Sequence, residues 1–341
     1  MRTAQPLTSN AQDQRRRASD RTLDLLSVVV PCFNESDGLE TLYTALTPVL
    51  ERIAPHHEII LVDDGSRDDT FTVARRLAAA DSRVKALRFA RNFGKEAGMA
   101  AGLRHARGEA VLLMDADLQH PPAVIPEMLE LWHNGVDMVI AVRRDRGTDS
   151  WPRRMISLAY YRIFQAMSDV RIPRGAGDFR LFDRKVVDAI VDLPERNRFM
   201  KGITSWVGFR QECMPFDVGV RATGRSAWGL LSLMRYAWDG LTSFSTLPLR
   251  IWSVLGTIIA GCATLYGLWL MISTTVFGTD VPGYASLMVS TLFLGGVQLI
   301  SLGVLGEYVG RIFLEVKKRP IYLIADRIGL DDPDSDETGR D

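Results

Sequence analysis

Asp115, Asp117 and Gln119 stand at alternate positions in the stretch Val111–Pro122, VLLMDADLQHPP. Carboxylates at i and i+2 converge where a strand ends and the chain turns. Two anions held that close repel each other unless a cation sits between them. A hard divalent ion, Mg²⁺ or Mn²⁺, takes oxygen ligands and keeps positions open for phosphate oxygens. The chemistry this spacing points to is therefore a metal site that holds a diphosphate, with Asp115, Asp117 and Gln119 as its ligands. An isolated Asp-x-Asp says little, since a chain of this length carries about one by chance. Its place gives it weight: it closes an apolar run that reads as a buried central strand, at the end where open α/β sheets bind ligands.

The elements that must position these residues follow from the pattern around them. Leu25–Pro31, Glu58–Val62, Val84–Phe89, Ala110–Met114 and Asp137–Val142 read as strands. Helices are expected over Gly38–Ile53, Asp68–Ala80, Asn92–Arg107 and, behind Pro121–Pro122, Ala123–Trp132. Strands alternating with helices imply an α/β fold with a mostly parallel sheet and right-handed crossovers. Acidic groups recur after the first, second and fourth strands as Glu35, Asp63 with Asp64, and Asp115 with Asp117. Three acidic strand ends on one edge of a sheet make a cleft. Gly94, Gly98 and Gly102 dot the third helix, where small residues allow close approach to a strand or ligand. No G-x-G-x-x-G follows the first strand, and Gly94–Lys95 lacks the upstream glycine of a P-loop, so neither glycine device for nucleotides is present.

Lysine plus arginine equals aspartate plus glutamate at 41 each, which gives no electrostatic case for a nucleic-acid partner. Cys32, Cys213 and Cys262 are too widely spaced for a disulfide framework or a zinc site. Met1–Asp24 is a polar arm with Arg15, Arg16 and Arg17 in a row, and reads as disordered. Beyond the sheet, Arg143, Arg144, Arg146, Arg153 and Arg154 precede a turn, Gly175–Arg180, that carries Asp178. Arg196, Arg198, Lys201, Arg221 and Arg225 follow. Basic residues beside glycine turns favour an anionic ligand.

Apolar residues concentrate after position 250. Ile251–Ser273 holds no charge and, as a helix, would extend about 34 Å, enough to span a bilayer. Tyr284–Leu305 is a second uncharged span. Ser226–Arg250 mixes aromatic and leucine residues with Arg235 and Asp239 and reads as a juxtamembrane amphipathic helix. Arg250 precedes the first span; Arg311, Lys317, Lys318 and Arg319 follow the second; the intervening loop holds Asp280 and no basic residue. The positive-inside rule puts both termini and the 25–225 domain in the cytoplasm, on a multi-pass protein of the inner membrane. The remainder, 306–341, is a cytoplasmic tail ending in the acidic stretch Asp331–Asp341.

VVVPCFNE (28–35), EIILVDDGSRDDT (58–70), RNFGKEAGMAAG (91–102) and MDADLQHPP (114–122) resemble the donor half of glycosyltransferase family 2. GDFRLFDRKVVDA (177–189), ERNRFMKG (195–202), DGLTSFSTLPLR (239–250) and GEYVGRIFLEVKKRPIY (306–322) resemble the polyprenyl-phosphate glycosyltransferases. The bactoprenol glucosyltransferases are the nearest branch, and dolichyl-phosphate mannose synthases share the catalytic half. The resemblance covers roughly residues 25–325, with several motifs in the same order. It implies a GT-A-like, nucleotide-diphospho-sugar transferase domain. Pro31, Phe33, Glu35, Val62 and Asp64 match residues that frame the donor's base and ribose. Asp115, Ala116, Asp117 and Gln119 match the segment for metal and diphosphate, with Asp117 also taken as catalytic. Arg143 and Arg153 match basic residues near donor and acceptor phosphates. Asp178 matches an acid proposed as a base, and Arg221 opens the family's R-x-x-G-x-S-K pattern. Ala227 stands where that pattern has lysine and Arg225 where an acid is common, so Arg225 is taken, with Arg153, Lys201 and Arg221, for the acceptor phosphate. Phe33 replaces a frequent tyrosine, which keeps stacking and loses a hydroxyl.

The implied reaction moves a hexose, glucose from UDP-glucose in this branch, to undecaprenyl or another polyprenyl phosphate, with inversion. The nucleophile is already an anion, so two roles stand for Asp178: accepting a residual proton, or orienting the sugar or Arg180. The partners implied are the nucleotide sugar, the lipid acceptor, the membrane and further copies of the chain. Two alternatives are a GDP-mannose-dependent polyprenyl-phosphate mannosyltransferase and a non-catalytic membrane scaffold on the same fold. A processive polysaccharide synthase is disfavoured, because its usual Q-x-x-R-W is missing: no Arg-Trp pair occurs in the chain.

Overall fold

The computed structural model describes residues 21–144, 173, 175–196, 198–217, 247–277 and 283–331. Arg153, Arg221, Arg225, the juxtamembrane segment Ser226–Thr246 and residues 1–20 and 332–341 lie outside the described residues. The chain divides into two compact units. One comprises Met1–Tyr161, Val170–Leu230 and Pro320–Asp341; the other comprises Arg162–Asp169 and Leu231–Arg319.

The first unit is built on an eight-stranded sheet. Its strands are β1 (Leu25–Cys32), β2 (His56–Asp63), β3 (Val84–Phe89), β4 (Ala110–Leu113), β5 (Met138–Arg143), β6 (Ala176–Asp183), β7 (Gln211–Phe216) and β8 (Ile324–Ile328), in the order β7-β5-β6-β4-β1-β2-β3-β8. The pairs β1–β2, β2–β3, β1–β4 and β5–β7 are parallel, whereas β6 and β8 run antiparallel to their neighbours. Every strand except β6 and β8 therefore points the same way, and the expected mostly parallel α/β sheet is present.

Its helices are α1 (Leu39–Ile53), α2 (Thr70–Ala80), α3 (Lys95–His105), α4 (Ile125–His133), α5 (Arg184–Val191) and α6 (Met200–Trp206). Leu26 to Val30 are all fully buried, as expected of a central strand covered on both faces. Leu26, Val28 and Val30 share a core with Leu39, Leu42, Leu46 and Leu50 of α1 and with Met128 and Trp132 of α4. Val29 points to the opposite face, against α3: a Cβ added at Gly102 would lie 2.1 Å from Val29 Cγ1. Glycine at 98 and 102 is what lets α3 lie this close to β1, since Gly98 also faces Pro31 at 3.2 Å.

One segment differs from the sequence-based expectation. Gly175–Arg180, read as a glycine turn, is mostly strand. Only Gly175 takes a left-handed φ of +72°, and from Ala176 the chain enters β6 between β4 and β5. Phe179, Leu181 and Phe182 are buried there, and that burial draws the segment into the sheet.

The second unit contains α7 (Leu247–Phe277) and α8 (Tyr284–Val316). Among the described residues one segment, Phe293–Val316, is long and apolar enough to cross a membrane; Gly256–Trp269 is a shorter apolar stretch. α8 continues beyond Leu305, where Glu307 and Arg311 pair at i,i+4.

Candidate active site

The carboxyl ends of β1, β2, β4 and β5 lie along one edge, and β6, running the other way, starts there. This edge collects most of the described candidate residues. After β1, the loop through Phe33 and Glu35 is tied to the loop after β2. Asn34 N donates to Ser66 Oγ at 2.9 Å, Glu35 N to Thr70 Oγ1 at 2.8 Å, and Arg67 N to Asn34 Oδ1 at 2.9 Å. Phe33 stays 43% exposed, an aromatic face free for stacking. Val62 is buried and pairs across β1–β2 with Pro31, which is half-buried. Asp64 is buried, and its carboxylate accepts from the backbone N–H groups of Phe93 (2.6 Å) and Gly94 (2.8 Å). Desolvation still holds its pKa above the ordinary value.

After β4 the chain turns through Asp115–Gln119, with Leu118 at a φ of 58°. Asp117 is buried and accepts from Gln119 N at 3.1 Å; Ala116 is buried beside it. Gln119 Oε1 accepts from Arg143 Nη2 at 2.8 Å, so the end of β5 is joined to this turn. Asp115 N donates to His120 Nδ1 at 3.0 Å, which leaves the imidazole proton on Nε2. His120 stacks on Phe179 of β6, with centroids 4.7 Å apart, and burial lowers its pKa, keeping it neutral.

The β4–β6 ladder pairs Leu113 with Arg180; continued two residues, it sets Asp115 opposite Asp178. Between these two carboxylates lies the Lys95 ammonium, 2.6 Å from each. Burial opposes the charge on Asp178, but Lys95, with Lys201 and Arg180 near, holds its carboxyl well below the usual carboxylate range. Glu96, the next residue of α3, accepts from Met200 N at 3.0 Å and so caps α6 from another helix. Desolvation and the Asp178 charge raise its pKa to about 7. Arg180 is buried, donates to Gly177 O and bonds Thr204 of α6. Lys201 is carried by α6, and these two tethers place it within electrostatic reach of Asp178 and Glu96.

The edge thus brings together Phe33, Asp64, Asp115, Asp117, Gln119, Arg143, Asp178 and Lys201. Sequence reasoning missed Lys95, Glu96 and His120. All three stood inside the motifs RNFGKEAGMAAG and MDADLQHPP; only the fold shows that Lys95 reaches two other loops. The donor set is suited to a hard cation. Asp115 and Asp117 offer carboxylate oxygens from one turn, although among the described residues no group of three His, Cys, Asp or Glu could hold a metal without help. A cation that uses one or two carboxylates and completes its shell on substrate phosphates fits this arrangement.

Comparison with known proteins agrees. Residues 27–191 match the Glycosyl transferase family 2 model, and residues 247–312 match the GtrB C-terminal hairpin. A prophage-derived bactoprenol glucosyl transferase of Shigella flexneri is 47% identical over 88% of this chain and 97% of its own. The chain belongs to glycosyltransferase family 2. A prophage bactoprenol glucosyl transferase homolog of Escherichia coli K12 is 45% identical to this glycosyltransferase, over 88% of it and 98% of the relative. Among solved structures, glucosyl-3-phosphoglycerate synthase of Mycobacterium tuberculosis aligns with a TM-score of 0.42 at 20% identity, over 69% of this chain and 83% of that one. A likeness that distant adds no functional argument.

Proposed function

We propose that this glycosyltransferase moves a hexose, glucose from UDP-glucose, onto a polyprenyl phosphate at the cytoplasmic face of a membrane, with inversion and with Mg²⁺ or Mn²⁺. The observation that carries the reaction is the sheet edge where a base-stacking ring, a carboxylate pair and a lysine–aspartate pair converge. The acceptor and sugar follow from the bactoprenol glucosyl transferases that the chain matches over nearly their full length.

Phe33 offers its exposed face to the base, and Asp64, fixed by Phe93 and Gly94, stands at the ribose side. Asp115 and Asp117 would hold the divalent ion, which when bound supplies positive charge against the leaving diphosphate. Arg143 reaches the same turn through Gln119 and adds a second positive charge. Asp178 is best read as orienting. A carboxylate kept ionised by Lys95 is a weak proton acceptor, and an anionic phosphate needs little deprotonation. Lys95, 2.6 Å from both Asp115 and Asp178, ties the metal turn to β6, and Lys201, near Asp178, gives the acceptor phosphate its countercharge. Arg153, Arg221 and Arg225 remain acceptor-side candidates by family resemblance.

The test is transfer from a panel of labelled nucleotide sugars to undecaprenyl phosphate, with metal and with chelator. One labelled lipid, formed from UDP-glucose and lost with chelator, is expected. Asp117→Asn should lower transfer by at least about a hundredfold, in the range seen when a charge-stabilising group is removed. Near-normal activity in that variant would remove the metal assignment, and a lipid product from GDP-mannose alone would move the donor to the mannose branch.

A further inference from the structure

We infer that the segment after the last long helix, Pro320–Asp331, is a working part of the donor site, and that Tyr322 and Asp326 are positioning residues for Asp64. The inference rests on the reading above, in which Asp64 faces the donor nucleoside.

Three contacts join this segment to β3, the strand that leads into the loop whose Phe93 and Gly94 amides bind Asp64. The Tyr322 ring stacks on Phe89, with centroids 5.0 Å apart and planes 10° from parallel. Ala90 N donates to Leu323 O at 2.9 Å, which extends the β3–β8 pairing to the mouth of the loop. Arg88 lies between Asp326 of β8 (3.8 Å) and Asp63 of β2 (3.7 Å), the residue next to Asp64.

Phe89 passes this support onward. It is buried, and Phe93 meets it edge-on at 5.8 Å. Phe93 and Gly94 supply the two N–H groups that fix the Asp64 carboxylate. The loop has no slack on its other side. A Cβ at Gly65 would stand 2.5 Å from the carbonyl carbon of Arg91 and 2.8 Å from Asn92 N, so the turn after Asp64 and the 91–92 backbone are packed in direct contact. A loop held this closely on one side and by stacked rings on the other moves if the rings are removed.

Without the tail, β3 would be an edge strand with unpaired backbone groups. β8 covers that edge, but edge protection alone does not call for an aromatic ring stacked at the strand's last residue. That placement, beside the donor loop, points to a role in binding.

The experiment uses the full-length protein in detergent and UDP with Mn²⁺ as the probe. Tyr322→Ala is expected to weaken UDP binding about tenfold and to raise the donor KM similarly, with the acceptor KM unchanged. Tyr322→Phe, which keeps the stack, should restore wild-type binding, and Asp326→Ala should weaken it a few-fold. Equal UDP affinity in Tyr322→Ala and wild type would overturn the inference, as would an acceptor KM that moves with the donor KM. Hydrogen exchange at Phe93 and Gly94 separates this from the donor assignment. If wild type binds neither UDP nor GDP, the donor reading fails; faster exchange at these amides in Tyr322→Ala and Asp326→Ala would still support the tail's hold on the loop, and unchanged exchange in both would refute it.

Discussion

Desolvation and the nearby Asp178 charge make Glu96 a carboxylate whose charge state changes near neutrality. Lys95 and Lys201 favour its ionised form, Met200 N–H donates to it, and still desolvation and Asp178 prevail, leaving its pKa at about 7. The consequence for stability has a definite sign. The unfolded chain releases this proton at an ordinary carboxyl value, so between that value and about 7 the native state binds more protons. Stability from this site is full below the ordinary carboxyl value and declines as pH rises from there to about 7. Glu96→Gln cannot ionise, yet its amide oxygen still accepts from Met200. Thermal unfolding should show the variant level with wild type at pH 4 and above it by at least roughly 2–4 °C at pH 8, about what 1 kcal/mol gives in a domain of this size. A gap of the same size at both values would show that Glu96 does not titrate as described. Its bond to Met200 N–H holds the first turn of α6, which carries Lys201.

Among the elements, α3 does most to assemble the site. Its first residues supply Lys95 and Glu96, and its glycines set its depth on β1. Gly102→Ala would press a methyl carbon onto Val29, whose stiff branched side chain has no easy rotamer to yield. The expected loss is about 1–3 kcal/mol, as for other overpacked cores, visible as a lower Tm. Gly261→Ala in α7 is the control, since an added Cβ there meets nothing within 4 Å and the Tm should not fall. An unaltered Tm for Gly102→Ala would mean that α3 has room to lift from the sheet. These elements also show what a sequence conveys. β1 to β5 and α1 to α4 were legible because buried strands are short apolar runs and their helices repeat at their own period. The carboxylates after β1, β2 and β4 could be placed on one edge because parallel strands share a direction. β6 was obscured by Gly175 and Gly177, which read as a turn until partners on both sides are known. β8 was hidden because five residues with two charges, Asp326 and Arg327, have no strand signature without β3 beside them. Lys95 was invisible because spacing within one motif says nothing of a carboxylate eighty residues away.

At the scale of the whole molecule, β8 constrains the path of the chain. It pairs with β3 in the sheet that also holds β7, so residues 216 and 324 lie on the same side of any membrane. The chain between them must cross an even number of times. Phe293–Val316 qualifies as one crossing by length and composition. If it crosses, a second crossing is required, and the uncharged run Ile251–Ser273 within α7 is the segment able to make it. Charge then predicts direction. Arg250 lies before the pair and Lys317, Lys318 and Arg319 after it, while the connecting stretch carries only Asp280, so the expected arrangement has the catalytic unit in the cytoplasm and residues 274–283 outside. Cysteine labelling in a background with Cys32, Cys213 and Cys262 replaced by serine checks this. Thr279→Cys should react with a membrane-impermeant maleimide applied to spheroplasts, and Asp331→Cys only after lysis. Reaction of Asp331→Cys from outside with Thr279→Cys protected would place the sheet outside and reverse the charge assignment. Protection of both residues until lysis would mean that neither helix crosses, which leaves the protein lying on the inner surface. The parity argument admits no result in which one helix alone spans the membrane.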